Sequence, residues 1–171
     1  MKKVLGLIFV LFAYVNLGAM NHKPIDLIIA TRNEGSSSGK LKKIIDNGIN
    51  PNCRDDKGNT PLHWSVAFNH LDKAEILIKH GANIISCNEA GDTPLHWVAR
   101  SKNEDSFKFL IKKLIQPFHN MHIPYMYQDD PIRRCLHVKN NSGESVLDIC
   151  KKKGILHWIP EIPKEVMRNL D

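Results

Sequence analysis

Beyond residue 20, no stretch approaches the roughly 20 consecutive apolar residues that a bilayer-crossing helix needs. Cys-x-x-Cys and His-x-x-x-His spacings are both missing, which removes the commonest signatures of a built zinc site. Paired catalytic carboxylates, a nucleophile elbow and a phosphate-binding loop are missing as well, so no residue set announces an enzyme. Aromatic residues make up only 7% of the chain, and none is interleaved with basic residues in a nucleic-acid motif. The formal charge of +6 (24 Lys and Arg against 18 Asp and Glu) is spread over several segments. Charge alone therefore predicts no nucleic-acid partner.

What is present fits one globular domain of 171 residues, with 42% hydrophobic and 25% charged residues. The first twenty residues stand apart. "MKK" is a basic start, "VLGLIFVLFAYVNL" is an uncharged apolar run, and "GAM" supplies small residues where a signal peptidase could cut. That order reads as a secretory signal peptide. Leu17, third from the cut if Ala19 is the last residue removed, is larger than the ideal, so a retained N-terminal anchor is the alternative. Cleavage would take Lys2 and Lys3 with it and lower the charge to +4.

The strongest signal is a repetition. Gly58-Asn59-Thr60-Pro61-Leu62-His63-Trp64 returns 33 residues later as Gly91-Asp92-Thr93-Pro94-Leu95-His96-Trp97. Repetition at a fixed period of this size is the mark of a stacked architecture. Each copy reads as a turn followed by a helix. Glycine suits the turn, Thr60 and Thr93 suit helix N-caps, and Pro61 and Pro94 suit the first helical position. A second apolar face follows in "HLDKAEILIKHG", with Leu71, Ala74, Leu77 and Ile78 at helical spacing and Gly81 as a C-cap. Neither helix can bury its face alone; stacking one unit on the next does so.

These residues resemble the ankyrin-repeat family, through the Gly-x-Thr-Pro-Leu-His core, the 33-residue period and the closing "HGANI". The resemblance implies an all-α stack, a solenoid of helix-turn-helix units joined by short β-hairpin loops. Residues 52–84 and 85–117 form clear units. Residues 21–51 read as a degenerate N-terminal unit and 136–171 as a degenerate C-terminal unit and cap, in which Val146 replaces the proline and Asp148 the histidine. Residues 1–20 precede this 21–171 domain. Ser145 follows Thr93 by 52 residues rather than 33, which places an insertion at about 118–135. Pro160 and Pro163 point to a short terminal helix from Pro163 rather than a full second helix.

Each candidate site has a structural competitor. In the family, the equivalents of His63 and His96 bond to their threonines and tie loops together, and the equivalents of Trp64 and Trp97 face the core, a place in the binding groove being the alternative for the two tryptophans. His119, His122, Cys135 and His137 could compose a zinc site, against the reading of a mobile or partner-contacting loop. Phe118, Met121, Tyr125, Met126 and Tyr127 either fold over an apolar patch or await a partner. Lys112-Lys113, Arg133-Arg134 and Lys151–Lys153 read as solvated faces, with phosphate or lipid contact the sharper alternative. Asn140-Asn141-Ser142 is a formal N-glycosylation acceptor inside a repeat turn.

Cys53 and Cys87 fall at nearly equivalent places in successive units, farther apart than the roughly 7 Å a disulfide allows, and Cys150 takes a buried alanine-like position, so no disulfide is expected. The family resemblance implies a non-catalytic protein-protein interaction module without cofactor or metal, binding an unidentified protein; the alternatives are a membrane-tethered adaptor and a metal-dependent enzyme using residues 118–137. Export is expected, as is a monomer, and membrane association only if the N-terminal helix is kept. Carried over by position, the contact residues are Asp56, Lys57, Asn59 and Phe68 in one unit and Glu89, Ala90, Asp92, Arg100 and Ser101 in the next. Tyr125 and Tyr127 of the insertion are added for their adaptable apolar area.

Overall fold

The computed structural model describes residues 23–119 and 131–159. Eight α-helices follow one another among them: α1 Pro24–Arg32, α2 Ser38–Asp46, α3 Pro61–Ala67, α4 Leu71–Lys79, α5 Pro94–Ser101, α6 Glu104–His119, α7 Pro131–His137 and α8 Val146–Lys153. A single 3-10 turn, Leu156–Trp158, comes last. Helices α1, α3, α5 and α8 stack in that order, and α2, α4 and α6 each pack back on the helix before them. The 3-10 turn takes the corresponding place behind α8 and also reaches α6. One continuous core results, running from Leu27 through Leu41, Leu62, Leu77, Leu95 and Phe107 to Leu147.

The helix starts follow from local chemistry. Pro61 and Pro94 open α3 and α5, where no amide hydrogen is missed. Thr93 accepts from the His96 amide while the His96 ring takes the Thr93 amide, which closes a reciprocal cap. In α8 the carboxylate of Asp148 takes the histidine's part, accepting from both the amide and the hydroxyl of Ser145 at 2.9 and 2.6 Å. A carboxylate caps as well as an imidazole does, but it carries no second ring nitrogen to reach onward. That loss is harmless here, since no further repeat lies beyond α8 among the described residues.

Between helices the chain makes tight turns rather than paired strands; among the described residues the only strand-like pairing is one bridge, Lys139 with Ser145. Each turn has the same side-chain acceptor. Asp55 Oδ1 receives the amides of Lys57 and Asn59, Asn88 Oδ1 those of Ala90 and Asp92, and Asn140 Oδ1 those of Ser142 and Glu144, all at 2.8–3.0 Å. An Asx side chain thus mimics a backbone turn three times over.

Successive turns then lock together. The Glu89 amide donates to the Lys57 carbonyl at 3.1 Å and the Asn141 amide to the Ala90 carbonyl at 3.0 Å. This close approach explains Gly91, whose φ is +75° and whose missing Cβ would lie 2.7 Å from Asn141 Oδ1 and 2.8 Å from Asn141 N. Gly91→Ala should lower stability by more than the roughly 1–2 kcal/mol of a left-handed alanine, because the loop contact must also open. Gly48→Ala is the internal control: its φ is +91° with nothing within 4 Å, so only the conformational part should appear. Equal urea midpoints for the two variants would show that the loop contact carries no stability.

The insertion departs from the expected loop. Helix α6 runs on to His119, and Pro131–His137 form α7, which packs between α6 and α8. Cys135 and Leu136, adjacent on α7, are both buried in the common core, which is why the segment is helical there. The terminal helix expected from Pro163 lies outside the described residues.

Candidate functional site

His63 and His96 are sealed from solvent and act as tie-rods between units. The Thr60 amide donates to His63 Nδ1 at 3.1 Å, so Nε2 carries the proton and donates to the Asp92 carbonyl of the next turn at 3.0 Å. His96 repeats the arrangement with Thr93 and reaches the Glu144 carbonyl at 3.3 Å, across the insertion. Burial pushes the His63 pKa down to about 4, even though the bond to the Asp92 carbonyl works the other way. Burial lowers the His96 pKa too, against the pull of the Asp92 carboxylate. A neutral imidazole so enclosed is a structural donor. Among the described residues, the hydroxyl that each ring Nδ1 meets is that of the capping threonine, at 2.9 and 2.8 Å.

Two of the expected contact residues belong to the same interior lattice and are corrected here. Asn59 is 2% exposed; it takes a bond from Asn88 Nδ2 at 2.8 Å and gives one to Asp55. Asp92 is 6% exposed, receives Asn140 Nδ2 at 2.8 Å and pairs with both ends of the Arg100 guanidinium. Burial alone would raise the Asp92 pKa, but the Arg100 and Asn140 donors outweigh it and hold the carboxyl below the usual range. Arg100 is drawn into this network, with Glu144 3.8 Å away, rather than left extended towards a partner. The reason is the turn geometry: the residue after the glycine points back under the next turn. Asn140, in the formal glycosylation triplet, is 7% exposed and bound to Asp92, so its amide is not presented to a modifying enzyme.

Asp56, Lys57, Glu89, Ala90 and Ser101 are exposed, as is Phe68 at 46%. Tyr125 and Tyr127 lie outside the described residues, as do Met121, His122 and Met126. Among the described residues no three His, Cys, Asp or Glu side chains are placed to hold a metal ion. Cys53, Cys87 and Cys150 are free thiols, Cys87 exposed and Cys150 buried; Cys135 is buried as well. Burial raises the Cys150 thiol to about 12, leaving it protonated and unreactive at neutral pH.

Trp64 and Trp97 are the second correction. Leu62, Ser65 and Val66 take the buried positions of α3, so Trp64 turns to an adjacent face, where Phe68 follows it by four residues. The tryptophans are half-buried and form an aromatic ledge across α3 and α5. Trp64 meets Trp97 edge-on at 5.2 Å, stacks on Phe68 at 6.1 Å, and Phe68 stacks on His70 at 6.0 Å. Trp97 also meets the His63 ring edge-on at 5.3 Å, which ties the ledge to the inter-unit bond. The Trp64 ring N–H donates to Asp55 Oδ2 at 2.9 Å.

At its other edge the ledge carries Arg32, with Cζ 4.3 Å from the Trp64 ring centroid. Arg32 and His70 were not singled out by sequence reasoning. They come from a degenerate unit and an inter-helix turn, where no repeat signature marks them.

A family profile described as "Ankyrin repeats (3 copies)" matches residues 27–121, more than half of the chain. Among curated proteins, the acyl-CoA-binding domain-containing protein 1 of Arabidopsis thaliana is 47% identical over 58 residues, 34% of this chain and 17% of that protein. The neurogenic locus notch homolog protein 1 of Danio rerio is 39% identical over 54 residues, 32% of this chain and 2% of that protein. An ankyrin repeat-containing protein of Schizosaccharomyces pombe is 40% identical over 47 residues, 26% of this chain and 23% of that protein. The chain therefore spans less than a quarter of the length of each of these relatives. Matches of this kind indicate a protein-protein interaction module.

Proposed function

The chain belongs to the ankyrin-repeat family, and from that premise we propose that it is an exported module that captures a protein partner on the aromatic ledge and the exposed turn residues beside it. The ledge is the observation that carries this reading. Trp64 and Trp97 stand on core-packed helices, Phe68 and His70 stack beside them in the turn between α3 and α4, and Phe68 is left 46% exposed. Exposed aromatics backed by a fixed framework are the usual anchors of a recognition surface. Asp56, Lys57, Glu89, Ala90 and Ser101 supply the polar margin. Asn59, Asp92 and Arg100 hold the turns in place instead of touching the partner. Non-catalytic action fits the same picture, since the buried histidines serve the stack.

Export rests on residues 1–20, whose basic start, apolar run and small residues follow the order of a signal peptide. No helix among the described residues is long and apolar enough to cross a membrane, and residues 1–20 lie outside them. Intact mass of chain recovered from a secreting host should show loss of a segment ending near Ala19. An unprocessed mass in the membrane fraction would instead support a tethered adaptor.

For recognition, a photo-crosslinking amino acid placed at Phe68 should trap a protein from the native extract, whereas the same probe at Lys42, on α2, should not. Identical adducts from both positions would move the contact surface away from the ledge.

A further inference from the structure

We propose that the ledge selects a partner segment carrying an Asp or Glu side chain beside an aromatic or aliphatic residue, with Arg32 taking the carboxylate and Phe68 with Trp64 the apolar side chain. This rests on the ledge being the contact surface, and it adds the partner's chemistry. The first support is the state of Arg32. A guanidinium has five N–H donors and no acceptor, and stacking over a ring leaves its N–H edge free. No hydrogen bond or ion pair of the Arg32 side chain is seen among the described residues, and its guanidinium lies over the Trp64 ring face. The nearby arginines are occupied: Arg54 donates to the carbonyls of Gly58 and Cys87, and Arg100 pairs with Asp92. Asp55, the carboxylate at Trp64, has both oxygens bound by the Trp64 ring and by Asn59. The ledge's cationic edge therefore has no ion-pair partner among the described residues, and an acidic group on the partner would supply one.

The second support is that Arg32 is held in place before anything binds. It is the last residue of α1, and the carbonyls around it are clamped from the neighbouring repeat. Lys73 Nζ donates to the Ala30 carbonyl at 3.0 Å and the Asn33 carbonyl at 2.5 Å, and His70 Nδ1 meets the Thr31 carbonyl at 2.8 Å. Lys73 is almost fully buried, so this clamp is part of the stack and not a surface contact. A pre-positioned guanidinium loses little freedom on meeting a carboxylate, and its fork donates to both oxygens at once.

The third support is the apolar surface beside it. Ile25 and Ile29 precede Arg32 at helical spacing on one face of α1 and are 47% and 46% exposed, against 46% for Phe68. Apolar area thus borders the free cation on both sides.

The test uses the full chain to select binders from a displayed library of short random peptides, with each selected peptide then measured against a Phe68→Ser variant. Selected sequences should be enriched in Asp or Glu next to Trp, Phe, Leu or Ile. Synthetic copies of them should lose about tenfold in affinity on Arg32→Gln, and Arg32→Lys should restore only part of it, since an ammonium neither stacks nor forks in the same way. Added salt should weaken binding to the parent chain and have little effect on binding to Arg32→Gln. Far-ultraviolet circular dichroism melts matching the parent separate these losses from unfolding. Binders without an acidic residue, or affinity within about twofold on Arg32→Gln, would overturn the acidic partner while leaving the ledge as the contact surface. Binders indifferent to Phe68→Ser would overturn both.

Discussion

Leu95→Ala should destabilise the chain by about 2–5 kcal/mol, enough to consume a large share of the stability of a domain this size. Leu95 is 2% exposed on α5, the helix that is packed between α3 on one side and α8 on the other. Truncation there removes buried methyl groups and opens a void that two neighbouring units border. Neither unit can close it without shifting the turn lattice, in which His63, Asp92 and Asn140 are hydrogen-bonded across the units. Denaturant melts measure the effect directly. The contrast is Phe68→Ala, where the side chain is already half in water and a loss under about 1 kcal/mol is expected. If the two substitutions had equal effects, the division between core and ledge would be wrong.

The second large effect is on acid stability. His63 is neutral and buried, with a pKa near 4 in the fold against about 6.5 in the unfolded chain. The unfolded state therefore binds a proton that the folded state refuses between these values. Stability from this group is complete above pH 6.5 and is lost as pH falls through 6.5 towards 4. Between pH 7.5 and 4.5 the difference amounts to about 2.5 kcal/mol from His63 alone.

His96, whose pKa is lowered by the same burial, adds in the same direction. The depressed carboxyls of Asp92 and Asp148 are lost only below the ordinary carboxylate range. The parent chain should show a steep fall in urea midpoint across that window. His63→Asn should be weaker at pH 7.5 yet flatter towards pH 4.5. Parallel pH profiles for the two chains would show that His63 does not refuse the proton.

The stacked all-α architecture was legible in the sequence because its determinants are local and recur at a fixed spacing. Gly, Thr, Pro, Leu and His in that order each satisfy a requirement of the turn or of the first helical residues, and 33-residue spacing needs no tertiary information to detect. The structural role of His63 and His96 followed from the same pattern. Side-chain direction on short helices did not follow, because seven or eight residues offer too few turns to separate a core face from its neighbour. Trp64 and Trp97 therefore looked like core residues until the stacking of Trp64 on Arg32 and Phe68, and its edge-on contact with Trp97, placed them on the ledge.

Asn59, Asp92 and Arg100 sit at turn positions that look exposed in a single unit. Asn59 and Asp92 are bonded by Asn88 and Asn140, 29 and 48 residues away in the following units, while Arg100 pairs with Asp92 of its own unit and has Glu144, 44 residues away, at 3.8 Å. The helical end of the insertion was likewise decided by tertiary contact, through Cys135 and Leu136 reaching a core built by other units. Local chemistry set what each unit is; how the units meet set which side chains remain for a partner.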